Sequence, residues 1–495
     1  MPEKIKALLV LLLIMQWVFF ILKPVYAEYF NRSYVNKIKI NIIIVSCSGF
    51  LISNYYYFSL FLLVYFLLQN KNTNFRVLLY FSSLPLLPVL MEVIRGFAGI
   101  NYLIDLTYPR LLVIALLIPV YFSIKNSPKS YVIFSAPSDK YVIAYLSLSF
   151  ILILDSSTSS DAFRQLFYLF VDIFIPYFVI SRVVRDVEQF KICILALFTA
   201  LLMMAHVAVF EAIKYWHLFS SMERELVFFK GSDYAVRSGM LRATASFYGP
   251  IVLGFMMNIA LACLLILRDD FKSKKVYYFV GGVILVAMIS SYSRGAWLGC
   301  GVLLGVYFIQ GKNKRKVLAN GLIAMVVMLI VLCISPVGEK LYQMLPFVGD
   351  KSSHAESTID YRKKLFEQSL VVLYKKPFFG NINFIKDKDL QGMIQGEGII
   401  DMVNSYLQIS LSRGLVGLYF FIMIFYVNIK NLWQKKKVSK NEAYKDIISI
   451  CIAIIIAMLT VIATTSLVGR VPIMLWVFSG LGTALGGMKK NNGYD

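Results

Sequence analysis

Apolar runs long enough to cross a bilayer follow one another along almost the whole chain. They lie near residues 5–22, 77–94, 108–124, 140–158, 163–181, 192–214 and 246–267, then near 276–292, 295–310, 318–336, 414–429, 446–467 and 471–487. About 20 apolar residues in a helix span the roughly 30 Å hydrocarbon core, where every backbone polar group has to be bonded within its own segment. A chain patterned this way is expected to be an all-α, polytopic membrane protein. Of its 495 residues 59% are apolar and 16% charged, against roughly 45–50% and about 25% in soluble domains, so little chain is left for a separate soluble domain. The first run, Ile5 to Leu22, is long enough to stay as a spanning helix, and no secretory cleavage site follows it. The stretch 38–68 is too long for one straight span and gives two short helices if it breaks at Ser53-Asn54, so the total is about 14 helices, either 14 or 15.

The formal net charge is +22, from 50 Lys+Arg and 28 Asp+Glu. In a polytopic protein this excess reads as basic loops held on the cytoplasmic side, not as a nucleic-acid surface. Arg268 to Lys275, Lys312 to Lys316 and Lys430 to Lys445 agree on one side. Counting helices between them puts residues 215–245, Ser293-Arg294 and residues 337–401 on the other side. Lys4 and Lys6 should share the basic side, which favours an even helix count and one long or kinked element over 38–68.

Two outer segments are too long for turns. One lies near 215–245. The other, 337–402, is the only stretch large enough for a small domain, and it separates transmembrane helices within 1–336 from those within 403–495. Nine Lys+Arg and nine Asp+Glu between Val337 and Asp401 make it neutral. No duplicated halves or matching pair of broken helices, the usual mark of a secondary transporter, is visible. The asymmetry favours an enzyme with an outer active site.

Four constellations on that side carry chemistry. Arg294, in Ser293-Arg294-Gly295-Ala296-Trp297-Leu298-Gly299, sits at a tight polar break between two apolar runs. Its guanidinium either anchors to headgroups or faces a hydrated cavity. Arg362 stands on a segment in which Leu365, Phe366, Leu370, Val371 and Tyr374 recur at helical spacing up to Pro377. This amphipathic helix either aims Arg362 at a lipid-linked phosphate or holds down a loop. Asn404, Tyr406 and Gln408 supply the neutral groups a sugar needs, or simple caps, and Arg413 precedes Gly414-Leu415-Val416-Gly417 at the next helix. Arg242, with Arg237, makes the shorter loop basic. Of the three histidines only His354 lies in the large loop. No metal-ligand or disulfide spacing occurs among the histidines and six cysteines, no phosphate-binding glycine loop is present, and no cofactor is expected.

In this order around one large loop, the Ser-Arg-Gly-Ala-Trp-Leu-Gly run at 293–299, the Arg362 helix leading to Lys376-Pro377-Phe378-Phe379-Gly380, and Asn404 followed by Gly414 and Gly417 resemble the O-antigen ligase and Wzy-type polymerase superfamily. The resemblance covers roughly Leu241 to Gly417, with Arg242 to Pro250 a further likeness. It implies a GT-C-like bacterial inner-membrane enzyme that transfers glycans from undecaprenyl pyrophosphate at the periplasmic face, with Arg294 and Arg362 holding the pyrophosphate. Fixed guanidinium charge beside a good leaving group can stand in for a metal and a general acid. The implied partners are the lipid-linked glycan, membrane lipids, a chain-length regulator and a flippase. The ligases carry His immediately before the Asn, whereas this chain has Val403. A base, if one is needed, then comes from Glu397, Asp401 or His354, or the chain is of the polymerase kind, the reading favoured over a ligase acting on lipid A-core or protein. A transporter or flippase of lipid-linked oligosaccharide is the reading from another class.

Overall fold

In the computed structural model of the chain most of the described apolar runs are helices. The structure describes residues 2–30, 32–69, 71–88, 91–96, 102–125, 134–222, 236–237, 239–247, 249–311, 353–394, 399–467 and 469–488. Helices α1 (Glu3–Tyr29), α2 (Arg32–Leu51), α3 (Tyr55–Leu67) and α4 (Thr73–Ser83) come first. An antiparallel hairpin, β1 (Met91–Arg95) with β2 (Tyr102–Thr107), leads into α5 (Tyr108–Lys125). Then come α6 (Asp139–Ser156), α7 (Ser159–Val183), α8 (Val187–Lys214), α9 (Pro250–Ile266), α10 (Lys274–Ser290) and α11 (Arg294–Ile309). The last are α12 (Ser353–Lys375), α13 (Ser405–Val438), α14 (Glu442–Ile462) and α15 (Val471–Gly487).

Among the described residues seven helices are long and apolar enough to cross a membrane: α1, the Tyr34–Leu51 part of α2, α5, α7, α8, α13 and α14. Shorter apolar helices, α3, α9, α11 and α15, fill in between. The expected run at 318–336 and the first part of the large loop lie outside the described residues.

Two readings of the amino-terminal third are corrected. The stretch 38–68 is not one element: α2 ends at Leu51, and Asn54 starts α3 by accepting bonds from the amides of Tyr56 and Tyr57. An Asx cap of this kind satisfies donors that a continuous helix would have bonded internally. The run at 77–94 is helical only to Ser83. Pro85 and Pro88 follow, and a proline lacks the amide and disfavours helix in the residue before it, so the chain turns into the hairpin.

The extra crossing moves the amino terminus. Glu3 accepts a bond from Trp216 Nε1 at 2.8 Å, and Lys4 reaches Ser53 Oγ at 2.8 Å. Residues 3–4, 53, 216 and the turn before Arg294 therefore share one end of the helix array. The opposite end holds the Lys191–Asp270 and Arg268–Asp446 ion pairs. Lys4 thus lies opposite the basic loop Arg268 to Lys275 and not beside it.

Helix α8 is buried along nearly its whole length and forms the axis of the main apolar core. On the flanks Leu13, Phe20, Tyr57 and Tyr278 stand about 70% exposed (71%, 70%, 70% and 71%), a surface that only hydrocarbon solvates well. A second, smaller cluster unites Leu365 and Val372 of α12 with Phe384, Leu390, Met393, Met402, Leu407 and Leu411.

Candidate active site

The Arg294 end is built by three helices that approach closely. Ala296 packs on Gly254 of α9, and Asn258 Nδ2 bonds the Ala296 carbonyl at 3.0 Å. A Cβ on Gly299 would stand 2.5 Å from Val461 of α14, and one on Gly295 would collide with the Thr464 hydroxyl. The small residues of the 293–299 run are what let α9, α11 and α14 pack together, and that packing fixes where Arg294 opens its helix.

Helix α12 reaches the same loop from above. Arg362 is exposed, and its Nη2 bonds the carbonyl of Thr464 at 3.4 Å. Arg362 and Gly295, the residue after Arg294, therefore both abut Thr464, on the short segment between α14 and α15. The amphipathic reading of α12 is partly changed: Leu365, Ser369 and Val372 are buried, whereas Phe366, Val371 and Tyr374 are exposed.

The same loop organises the start of α13. Thr465 accepts a bond from Ser405 Oγ at 2.7 Å; Ser466 accepts one from the Val403 amide at 3.1 Å and donates to Asp401. The Asp401 carbonyl takes the Tyr361 hydroxyl at 3.0 Å. Val403 has φ +37°, a left-handed backbone that a β-branched residue rarely adopts, and its side chain packs against the small apolar cluster. Asn404 caps α13 through the amides of Tyr406 and Leu407, and the Tyr406 hydroxyl bonds the Leu459 carbonyl at 2.8 Å. Two of the three expected sugar-binding groups, Asn404 and Tyr406, thus have partners within the chain. The amide oxygen of Gln408 is buried without a partner among the described residues.

Arg413 points sideways: its Nε bonds Ser149 of α6 at 2.7 Å and it lies over the Tyr145 ring. Arg242 Nε bonds the Ser291 carbonyl at 3.2 Å, and the Ala243 amide bonds Ser290 O at 3.0 Å, so the shorter loop is stitched to the turn before Arg294. His354 lies in the first turn of α12, its side chain outside the described residues, as is all of Glu397.

Three groups at this end are not among the sequence candidates. The Thr464–Arg470 loop is one. Glu211, fully buried in α8, is another: its carboxylate accepts the amides of Leu218 (3.0 Å), Thr244 and Ala245 (2.9 Å each), with His217 Nδ1 at 3.4 Å. The third is Arg470, also fully buried. A lone carboxylate inside an apolar run and an arginine at the edge of another are signals legible in sequence.

Residues 252–422, from α9 to the middle of α13, match the family model for O-antigen ligase, Wzy_C. Over this segment the chain is similar to the O-antigen ligase and Wzy-type polymerase superfamily. No curated protein matches the chain. The matched segment contains Arg294, Arg362, Asp401, Asn404 and Arg413 but ends before the Thr464–Arg470 loop, which Arg362 and Asp401 bond. Among the described residues no three His, Cys, Asp or Glu side chains cluster as a metal would need.

Proposed function

We propose that this protein polymerises undecaprenyl-pyrophosphate-linked oligosaccharide repeat units at the periplasmic face of the bacterial inner membrane. The observation that carries the reading is that Arg362 bonds Thr464 while Gly295, the residue after Arg294, packs against the same threonine, so both arginines stand at one end of a membrane-embedded helical array. Two guanidiniums held at a lipid boundary suit a diphosphate, the one strongly anionic part of such a donor. The hydroxyl of an incoming repeat unit attacks the anomeric carbon. A new glycosidic C–O bond forms, the bond to the phosphate oxygen breaks, and the electron pair leaves on the pyrophosphate, with inversion. The hydroxyl proton passes to Asp401, Glu397, His354 or solvent. Arg242, Gln408 and Arg413 would line the path of the glycan, with Asn404 and Tyr406 shaping it through their bonds to the chain. In this orientation 337–402 is a periplasmic loop, and the fold is a GT-C-like array of 14 or 15 spans. A chain-length regulator and a flippase would work beside it.

Val403, where the ligases carry His, favours polymerase. The description of the matching family favours the second reading, transfer to lipid A-core or protein. Purified protein given undecaprenyl-pyrophosphate-linked repeat units separates them: a product ladder supports polymerase, one transfer to an added core acceptor supports ligase, and neither product supports a transporter. Arg294→Ala and Arg362→Ala are each expected to lower kcat by about 10²–10³-fold, the range for losing one donor to a developing anion, with membrane insertion intact. Full activity in both would sink the diphosphate-clamp model.

A further inference from the structure

The geometry points to Arg470 as an additional diphosphate-binding residue of this enzyme, offering a bidentate fork to phosphate oxygens. The inference rests on the glycan-transfer reading above. Arg470 is fully buried at the start of α15. Among the described residues its Nη1 alone is used: it reaches Pro85 O at 3.4 Å, Ser246 O at 3.4 Å and Ser246 Oγ at 3.3 Å. Among the described residues Nε and Nη2 are buried with no acceptor. The guanidinium lies over the Phe247 ring, 4.9 Å from its centroid, and among the described residues no carboxylate pairs with it.

Nε–H and Nη2–H project in parallel from the same edge of the guanidinium, the edge that meets carboxylate and phosphate oxygens two at a time. An unpaired buried charge is destabilising, so an arginine kept with this edge uncommitted suits an anion that arrives. Its place supports the same ligand. Arg470 closes the loop whose Thr464 takes Arg362 and abuts Gly295, and it grips Ser246 of the segment that Arg242 and Ala243 tie to the Arg294 turn. Carboxylates at this end are committed: Glu211 to backbone amides and Asp401 to Ser466 and Val403. A uronic-acid carboxylate shares the fork chemistry, and the test separates it from phosphate.

The full-length protein in nanodiscs is melted with inorganic pyrophosphate, with undecaprenyl pyrophosphate and with glucuronate, for the wild type, R470K and R470M. Pyrophosphate and its lipid are expected to raise the wild-type melting temperature. R470K, which keeps the charge but not the fork, should bind pyrophosphate about tenfold more weakly or worse, and R470M should lose the shift, both with a ligand-free melting temperature no lower than that of the wild type. An R470M response equal to wild type overturns the assignment while leaving the transfer reading intact. So does a response to glucuronate alone. Failure of both variants to fold, or lost binding with a lower ligand-free melting temperature in both, marks a structural brace and overturns it too. No response of the wild type to either phosphate ligand overturns this inference and the donor reading together.

Discussion

Glu211 shows how much one buried side chain organises. Its carboxylate gathers three amides from two segments of the shorter loop, and each would cost about 1–3 kcal/mol if left unpaired. Glu211→Ala is therefore expected to lower the melting temperature and to abolish transfer by releasing residues 242–247. Glu211→Gln, which keeps one acceptor, should lose less of both in the same melting and turnover assays. A second residue-scale prediction concerns Lys375, which bonds Asp387 at 2.7 Å and Asp389 at 2.8 Å. The bond from Lys375 holds the Asp387 carboxyl below its usual range, and the bond to Asp387 raises the ammonium. A carboxyl depressed in the folded state stabilises above its unfolded value, near 3.9, and loses that contribution as pH falls through the folded value. The hydrogen-exchange protection factors of residues 384–394 should thus stay constant from about pH 5 to 9 and fall below about pH 4. Unchanged protection at pH 3 would count against the clamp.

At the scale of elements, two distant sequence marks turn out to be halves of one joint. Helix α13 breaks at Gly414, φ +66°, and the turn Pro377–Gly380 docks into the break. Pro377 O accepts the Leu415 amide at 2.8 Å, Phe378 O the Val416 amide at 3.1 Å, and Leu411 O takes the Asn381 amide at 2.8 Å. The bonds lost by kinking the helix are replaced across the joint, which is why the break is tolerated. A Cβ on Gly380, φ +63°, would stand 2.5 Å from Gly414 N, and one on Gly414 would collide with Phe378. Gly414→Ala combines left-handed strain with a backbone clash, together about 2–6 kcal/mol, and is expected to abolish transfer even where the protein still inserts. The double variant with Gly380→Ala should cost less than the sum, since both break the same joint. Additive losses in thermal unfolding would contradict a shared joint. Leu407 and Leu411 pack with the loop cluster, whereas Ile409 belongs to the main core, so this first stretch of α13 joins the two.

At the scale of the whole molecule the decisive feature is parity. Splitting 38–68 into α2 and α3 adds a crossing, and the Glu3–Trp216 and Lys4–Ser53 bonds put the amino terminus at the Arg294 end. A membrane-impermeant label should therefore reach a cysteine placed at residue 3 from the same face as one placed at Arg362, and a cysteine at Lys272 only from the opposite face. Labelling of residue 3 together with residue 272 would refute this arrangement.

The positions of most helices were legible in the sequence because hydropathy is a local property: a run of about 20 apolar residues has few alternatives in lipid. So were Arg294, Arg362 and the glycines near 295 and 414, since charge and missing side chains stand out against such runs. Small breaks were less legible. Whether Ser53-Asn54 is a turn depends on a cap bond that hydropathy does not register, and Pro85 with Pro88 outweighed the apolar residues around them. The sequence by itself determined a helical membrane protein with a few arginines set apart from its basic loops. Tertiary structure alone decided which of them meet, because the Thr464–Arg470 loop that gathers Arg362, Asp401 and the Arg294 turn lies about a hundred residues or more from two of them along the chain. Contacts across such separations follow from how α9, α11, α13 and α14 pack, and no local pattern encodes that.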